Sequence, residues 1–408
     1  MIDRQRNKDE NKVRIENVNQ RKKRKKQNKQ KRYYEASAVL FILFLILIVG
    51  ANIITKDRTF SESENRMLAT KPKFTIDRLL EGRFTSKFED YVVDQFVGRD
   101  FFTDVKMKMD KLLGKKESNG VFLGDDGYLI ENFAKPNEEA VSENLQAINN
   151  FATKYKDVKQ YMLISPTAVS ILKDKLPMDA PVIDQESYLQ SYKEKLSQSI
   201  TFVDNYNTLK EHSKENIFYK TDHHWTSIGA RYSYDELAKA MELKETPDNY
   251  YESILVSDDF FGALSSKSGY DVKEGDRVEV FIPSDKDAET VVVNYVEEQE
   301  KTATLYSSEA LSQKDNYEVF LKGNHPLVKI KTNANNNKSL LIFKDSYANS
   351  FIPFLTKDFS KIIVVDPRYY YEDIDKLMKQ ENIDDVLYLY NANTFFSDTS
   401  LAPVLNNE

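Results

Sequence analysis

Nineteen residues, Ala36 to Ile54, are almost entirely Ala, Val, Leu, Ile and Phe, broken only by Ser37, Gly50 and Asn52. Wound as an α-helix at 1.5 Å per residue they span roughly 28 Å, close to a bilayer's hydrocarbon core. The chain before them is the opposite in character: residues 1–32 hold 14 Lys+Arg against 4 Asp+Glu, including Arg21-Lys22-Lys23-Arg24-Lys25-Lys26. With almost no apolar residues, this head cannot build a core and is expected to be disordered. The net charge of -7 over 408 residues therefore averages a head of +10 and a remainder of -17.

A nucleic-acid tail is one reading of the basic run. Beside an apolar segment of this length the topological reading suffices: the basic side stays in the cytoplasm and touches anionic lipid, and residues from Thr55 onward lie in extracellular or periplasmic space. A cleaved signal peptide competes with an uncleaved anchor, but the run is long for one and no small-x-small cleavage site follows it cleanly.

The domain reading is a basic head over 1–35, an anchor over 36–54, a charged linker over 55–75 and a folded domain over 76–408. Amphipathic spacing through Phe84, Phe88, Tyr91, Val92 and Phe96, then Val105, Met109, Leu112 and Leu113, predicts helices. Val121–Leu123 and Tyr128–Ile130 flank Gly124-Asp125-Asp126-Gly127 and read as a hairpin.

Thereafter short apolar strands alternate with helices. Strands are expected at 161–164, 200–203, 339–343, 361–365 and 385–390, with helices at 142–155, 187–196, 348–355 and 372–380. A further helix runs from Thr226 or Ser227 to Met241, burying Tyr232, Leu237, Ala238 and Met241. This rhythm predicts an α/β fold, a parallel sheet covered on both faces. Residues 250–335 lack it; segments at 278–282, 290–295, 317–321 and 327–330 are strand-like, which predicts a β-rich insertion that either shapes a substrate groove or serves as a lid.

Scarcity narrows the chemistry. With no cysteine there is no disulfide framework, thiolate cluster or cysteine nucleophile, and histidine-dependent chemistry must use His212, His223, His224 or His325. His223 and His224 stand in Asp222-His223-His224-Trp225, beside the only tryptophan. In extended or turn backbone, i and i+2 point the same way, so Asp222 can orient His224 through Nδ1 and leave Nε2 free, with His223 pointing opposite. The alternative is an aspartate that caps the helix, with the histidines as packing or surface residues.

Ser346 lies in Leu340-Leu341-Ile342-Phe343-Lys344-Asp345-Ser346-Tyr347, at the carboxyl end of an apolar strand and the start of a helix. That edge is where open α/β sheets bind ligands and where helix amides face a developing oxyanion. Serine is also a favoured N-cap, so the turn alone is weak evidence. Together the two constellations supply nucleophile, base and acid. Three adjacent ligands do not readily surround a tetrahedral metal and no HExxH partner exists, so no metal is expected. Nucleotide fingerprints are absent and no cofactor is expected.

Thr221-Asp222-His223-His224-Trp225-Thr226, followed by Gly229, resembles the signature of the DHHW protein family, which is similar to the SGNH-like O-acetyltransferases of alginate acetylation. Glu64-Asn65-Arg66, Gly98-Arg99-Asp100, the Gly124–Leu129 hairpin and the Lys344–Tyr347 turn extend the resemblance. It implies an SGNH-hydrolase-like three-layer sandwich in permuted order, the Asp/His pair preceding the serine. Ser346 would attack an acyl carbonyl, His224 take its proton and Asp222 orient His224. The turn reads Lys-Asp-Ser where SGNH enzymes usually show Gly-Asp-Ser. The Ser346 amide and Asn391 are then candidate oxyanion donors and Arg368 a substrate clamp, with a turn residue and a surface ion pair as the alternatives for Asn391 and Arg368; Trp225 is either packing or a wall for a sugar ring.

The function these features imply is a membrane-anchored, extracytoplasmic O-acetyltransferase or esterase acting on cell-surface polysaccharide. Its acyl group would come from a multi-spanning membrane O-acyltransferase, a partner implied by the resemblance alone; no nucleic-acid partner is expected. The alternative is a non-catalytic envelope or glycan-binding protein with a degenerate site.

Overall fold

The structure is a computed structural model and describes residues 2–61, 66–80, 83–270, 272–285 and 289–407. Glu64 and Asn65, two of the residues carrying the family resemblance, lie outside them. The chain divides into two compact units, the first drawn essentially from residues up to 103 and the second from 104 onward. The boundary expected at Ile76 thus falls inside the first unit.

In the first unit a single helix, Ile2–Ile54, runs through both the basic head and the apolar segment. The head, expected without order, is helical: Lys, Arg, Gln and Glu are strong helix formers, and no Pro or Gly interrupts them before Gly50. Its stretch Lys25–Ile54 is long and apolar enough to cross a membrane. Amphipathic helices follow at Arg83–Asp94 and Arg99–Leu112, the latter continuing past residue 103.

The second unit is built on an eight-stranded sheet. Its strands are β1 (Lys159–Ser165), β2 (Ile200–Phe202), β3 (Val291–Tyr295), β4 (Glu300–Thr302), β5 (Leu327–Thr332), β6 (Ser339–Lys344), β7 (Lys361–Val365) and β8 (Asp385–Asn391). Their order is β4-β3-β5-β7-β6-β8-β1-β2. The five strands from β7 to β2 are parallel, as the alternating pattern predicted. Every residue of β6 and β8 is buried, which is why these strands read as unbroken apolar runs. On one face Phe343 meets Phe151 of the helix Glu138–Lys154 edge-on, ring centroids 5.8 Å apart.

The β-rich region is not a separate insertion. β3 and β5 extend the main sheet antiparallel, β5 pairing with β7, so the sheet is mixed. Tyr251–Phe260 and Asp276–Pro283 form their own antiparallel ribbon, with a helix, Ala263–Ser268, between them. The strand expected at 317–321 is instead a 3₁₀ turn, Asn316–Val319, started by Asp315, whose carboxylate accepts from the Tyr317 amide. The 121–130 hairpin forms as predicted and gains a third strand, Glu117–Ser118.

Ser227–Ala240 is capped by Thr226, whose Oγ1 accepts from the Gly229 amide. Tyr234 is fully buried on it, while Tyr232, expected inside, lies half-buried and stacks on His212.

Candidate active site

The Asp-His-His-Trp motif sits on a tight loop. Phe218 and Trp225 face each other across an antiparallel bridge, and the Tyr219 amide donates to the His224 carbonyl at 3.2 Å. Asp276 holds the loop from beneath, its carboxylate accepting from the amides of Lys220 and Thr221 at 2.8 and 2.7 Å and from the Thr221 hydroxyl at 2.6 Å. The serine turn follows β6 directly. Asp345 accepts from the Tyr347 amide at 2.9 Å and from the Asn391 amide and side-chain nitrogen at 2.8 and 2.6 Å, tying the turn to the end of β8.

These loops bring Asp222, His224 and Ser346 into one chain of hydrogen bonds. His224 Nδ1 lies 2.5 Å from Asp222 Oδ1, and His224 Nε2 lies 2.7 Å from Ser346 Oγ. Asp222 Oδ1 also accepts from the His224 amide at 3.0 Å, and Oδ2 from the Ala263 amide at 2.8 Å. Gly262 lets that segment approach: a Cβ there would lie 2.3 Å from Asp222 Cβ. Asp222 and His224 are buried.

Burial and the neighbouring charge of His223 lower His224 to about 4, against the opposing pull of Asp222. Its imidazole is therefore neutral, as a base must be, at any ordinary pH. Burial alone would raise the Asp222 carboxyl, but His223, His224 and the Ala263 amide bring it well below the usual carboxylate range.

Two aromatic contacts fix the imidazole plane. Tyr317, from the 3₁₀ turn, stacks on His224 with centroids 3.7 Å apart and planes 10° from parallel. Its hydroxyl donates to the Ser346 carbonyl at 3.0 Å and shares a hydrogen bond with Ser350 Oγ at 3.0 Å. Across the other side His223 lies with its ring centroid 3.9 Å from that of His224. His223 thus flanks His224 and does not point away from it: its Nδ1 is 3.6 Å from Asp222 Oδ1, because the loop is a turn and not an extended strand.

Tyr317 had no signature in the sequence beyond Asp315, a turn-starting residue two positions earlier. Asp222, His223 and His224 each offer a potential metal ligand atom within 4.8 Å of one another, but both His224 nitrogens are already engaged, one by Asp222 and one by Ser346.

The other candidates take the structural one of their two readings. Trp225 is fully buried, its Nε1 donating to the Tyr347 carbonyl and Ser350 Oγ, both at 3.0 Å; it is core and cannot wall a sugar ring. Asn391 spends its side-chain nitrogen on Asp345 and Thr394 and its oxygen on the Thr394 amide, so it braces the turn and is not free as an oxyanion donor. Arg368 grips Asp366 through Nε and Nη2 at 2.8 and 2.6 Å, which closes that edge of its fork to a substrate. The Ser346 amide makes no backbone hydrogen bond among the described residues and stays an oxyanion donor candidate.

Lys344, at the glycine position of the usual turn, is buried. Its Nζ donates to Asn324 and Asn349, each at 2.7 Å, and lies 3.5 Å from Asp366. Burial lowers it to about 8. His212 and His325 pair with Glu215 and Glu298.

Strand order, layering and a Ser-His-Asp hydrogen-bond chain at the carboxyl edge of parallel strands define an SGNH-hydrolase-like α/β protein. Residues 121–319 match the family model described as the SGNH hydrolase-like domain of the acetyltransferase AlgX. The fold is shared with a solved DHHW family protein from Eubacterium siraeum, 23% identical, TM-score 0.62, covering 72% of this chain and 96% of that one. It is shared too with PatB1 of Bacillus cereus, solved with a sulfonyl adduct, 22% identical, TM-score 0.58, covering 68% and 96%. The resemblance drawn from the motifs is thereby borne out. No curated protein matches the chain in sequence.

Proposed function

We propose that this protein is a membrane-anchored, extracytoplasmic serine enzyme that moves an acyl group, acetyl by analogy with the AlgX-type domain, onto or off a cell-surface polysaccharide. The observation that carries the reading is the unbroken Asp222–His224–Ser346 chain, with Ser346 Oγ at 2.7 Å from a neutral imidazole. Ser346 Oγ attacks the donor ester carbonyl while its proton passes to His224 Nε2; that proton then leaves with the donor's oxygen as the donor C–O bond breaks. In the second half an acceptor hydroxyl, or water, gives its proton to Nε2, takes the acyl carbon and frees Ser346. Asp222 holds the Nδ1 tautomer throughout.

A polar cleft of about 430 Å³ is lined by Glu131, Lys267, Asn393 and Thr394 among others; burial pushes Glu131 up, but the charges of His223 and Lys267 hold it below its ordinary value. Export with the amino terminus inside follows from the charge asymmetry around 36–54. The acyl donor would be a multi-spanning membrane O-acyltransferase, since activated acetyl groups are made in the cytosol.

The test is hydrolysis of a chromogenic acetyl ester by the full chain, beside Ser346→Ala and His224→Ala, with mass spectrometry after treatment with a sulfonyl fluoride. Loss of turnover in both variants and sulfonylation confined to Ser346 are expected. Undiminished turnover in both sinks the assignment, and oligosaccharide acceptors then separate transfer from hydrolysis.

A further inference from the structure

Outside the site, the most unusual surface is apolar. Along Arg99–Leu112 the residues Phe101, Phe102, Val105, Met109 and Leu112 repeat at three to four positions and form one stripe. All are exposed, Phe101 by 65% and Leu112 by 80%. In Arg83–Asp94, Phe88, Val92 and Val93 are also exposed. Side chains of this size left open on two successive helices mark an interaction surface.

Phe101, Phe102 and the exposed residues of Arg83–Asp94 belong to the first unit, and their attachment there identifies the partner. The turn between the two helices is hydrogen-bonded to the last turn of the membrane-length helix: the Val97 amide donates to Asn52 Oδ1 at 2.9 Å. Gly98 supplies the left-handed backbone, φ 76°, that reverses the chain there. Three further clasps follow the helix end. Arg58 pairs with Asp100 at 2.8 Å, Gln95 exchanges hydrogen bonds with the Arg58 backbone at 2.9 Å, and the Tyr91 hydroxyl donates to Asp57 at 3.0 Å. One polar group of each helix, Tyr91 and Asp100, is spent on the chain leaving the span, while Phe88, Val92, Val93, Phe101 and Phe102 are left exposed. Asn52 is two residues from the end of the apolar run, so the Val97 turn stands at the level where hydrocarbon meets headgroups.

We propose that Arg83–Asp94 and the start of Arg99–Leu112 lie in the interfacial layer of the membrane crossed by Ala36–Ile54, with Phe101 and Phe102 immersed at the headgroup–acyl boundary. The proposal rests on the reading of Ala36–Ile54 as a membrane span. Lipid is the occupant because the surface is fastened to the end of that span.

The chain has no cysteine, so single-cysteine variants of the full chain carry an environment-sensitive fluorophore without background. Leu43→Cys, Phe101→Cys, Val93→Cys and Lys87→Cys are labelled and reconstituted in phosphatidylethanolamine–phosphatidylglycerol vesicles containing shallow or deep nitroxide lipids. Expected are deep quenching at position 43, quenching at 101 and 93 that is stronger with the shallow nitroxide, and none at 87, on the polar side of the same helix as 93. Quenching at 43 with 101 and 93 as unquenched as 87 overturns the surface proposal and leaves the span standing. Absence of quenching at 43 overturns the span and this proposal with it. A blue shift at 101 without nitroxide quenching, the signature of a second copy covering the stripe, also overturns it.

Discussion

Tyr317→Ala removes the ring that covers one face of His224. The ordinary imidazole value is 6.5 and burial, the largest cause, helps bring it to about 4; that gap is about 3 kcal/mol at about 1.36 kcal/mol per pH unit. The Tyr317 ring centroid lies 3.7 Å from that of the imidazole, so removing it lets solvent reach the ring and moves His224 upward, on the order of one pH unit. The acid limb of kcat/KM reports the free base. It should therefore move upward by about one pH unit in Tyr317→Ala, so that activity is lost on acidification at a higher pH than in the parent. The expected fall at the plateau is about 10- to 100-fold, as the imidazole loses its fixed plane.

Tyr317→Phe keeps the ring and removes only the hydroxyl's bonds to Ser346 and Ser350. It should leave the acid limb where it was and cost about 1–3 kcal/mol of stability. The assay is the pH profile of chromogenic ester hydrolysis for the three proteins, with thermal unfolding alongside. If the acid limb of Tyr317→Ala coincides with that of the parent while the protein stays folded, covering by Tyr317 is not what depresses His224.

Further expectations are as concrete. His223→Ala removes a charge that lowers His224, so the acid limb of the same profile should again rise; a limb that stays or falls contradicts the electrostatic account. Gly262→Ala places a Cβ 2.3 Å from Asp222 Cβ and 2.5 Å from Oδ2. It should cut turnover at least about tenfold by displacing the carboxylate, and full activity would show that the loop yields freely. Lys344→Ala leaves Asp366 without one of its two cationic neighbours in a buried setting. It should cost about 3–5 kcal/mol, read as a fall in Tm on the order of 10 °C; an unchanged Tm rules that network out as a stabilising element.

The parallel half of the sheet was legible because strands buried on both faces have to be continuously apolar, as in Leu340–Phe343 and Val386–Tyr390. Asp222 and His224 were legible because their relation is local, two positions in a turn, and Ser346 because a strand-to-helix turn has a recognisable composition. Tyr317 was not: it reaches His224 through tertiary folding from a stretch whose apolar residues suggested a strand. The partners of β3 and β5 were not legible either: the region is β-rich as its pattern predicts, but these two strands join the main sheet. Alternation predicts that a strand exists, while its partner is chosen by which sheet edge lies within reach. Of the two readings of Trp225, packing or a sugar wall, the buried bonds to Tyr347 and Ser350 select packing.

The position of β8 has a consequence for how the protein comes into being. Contributed by residues 385–391, it lies between β6 and β1, pairing Asn391 with Ser165 at its far end. Until that late segment arrives, β1 and β2 on one side and the strands bearing the nucleophile on the other have no shared strand to join them. A polypeptide emerging from its amino terminus must therefore hold two unfinished half-sheets with apolar edges open, a state prone to mispairing. Long-range closure of this kind is slow, and Asp345 in the Ser346 turn receives its Asn391 brace only once it is complete. A chain cut just before residue 385 would lose the middle of the domain and not merely its end.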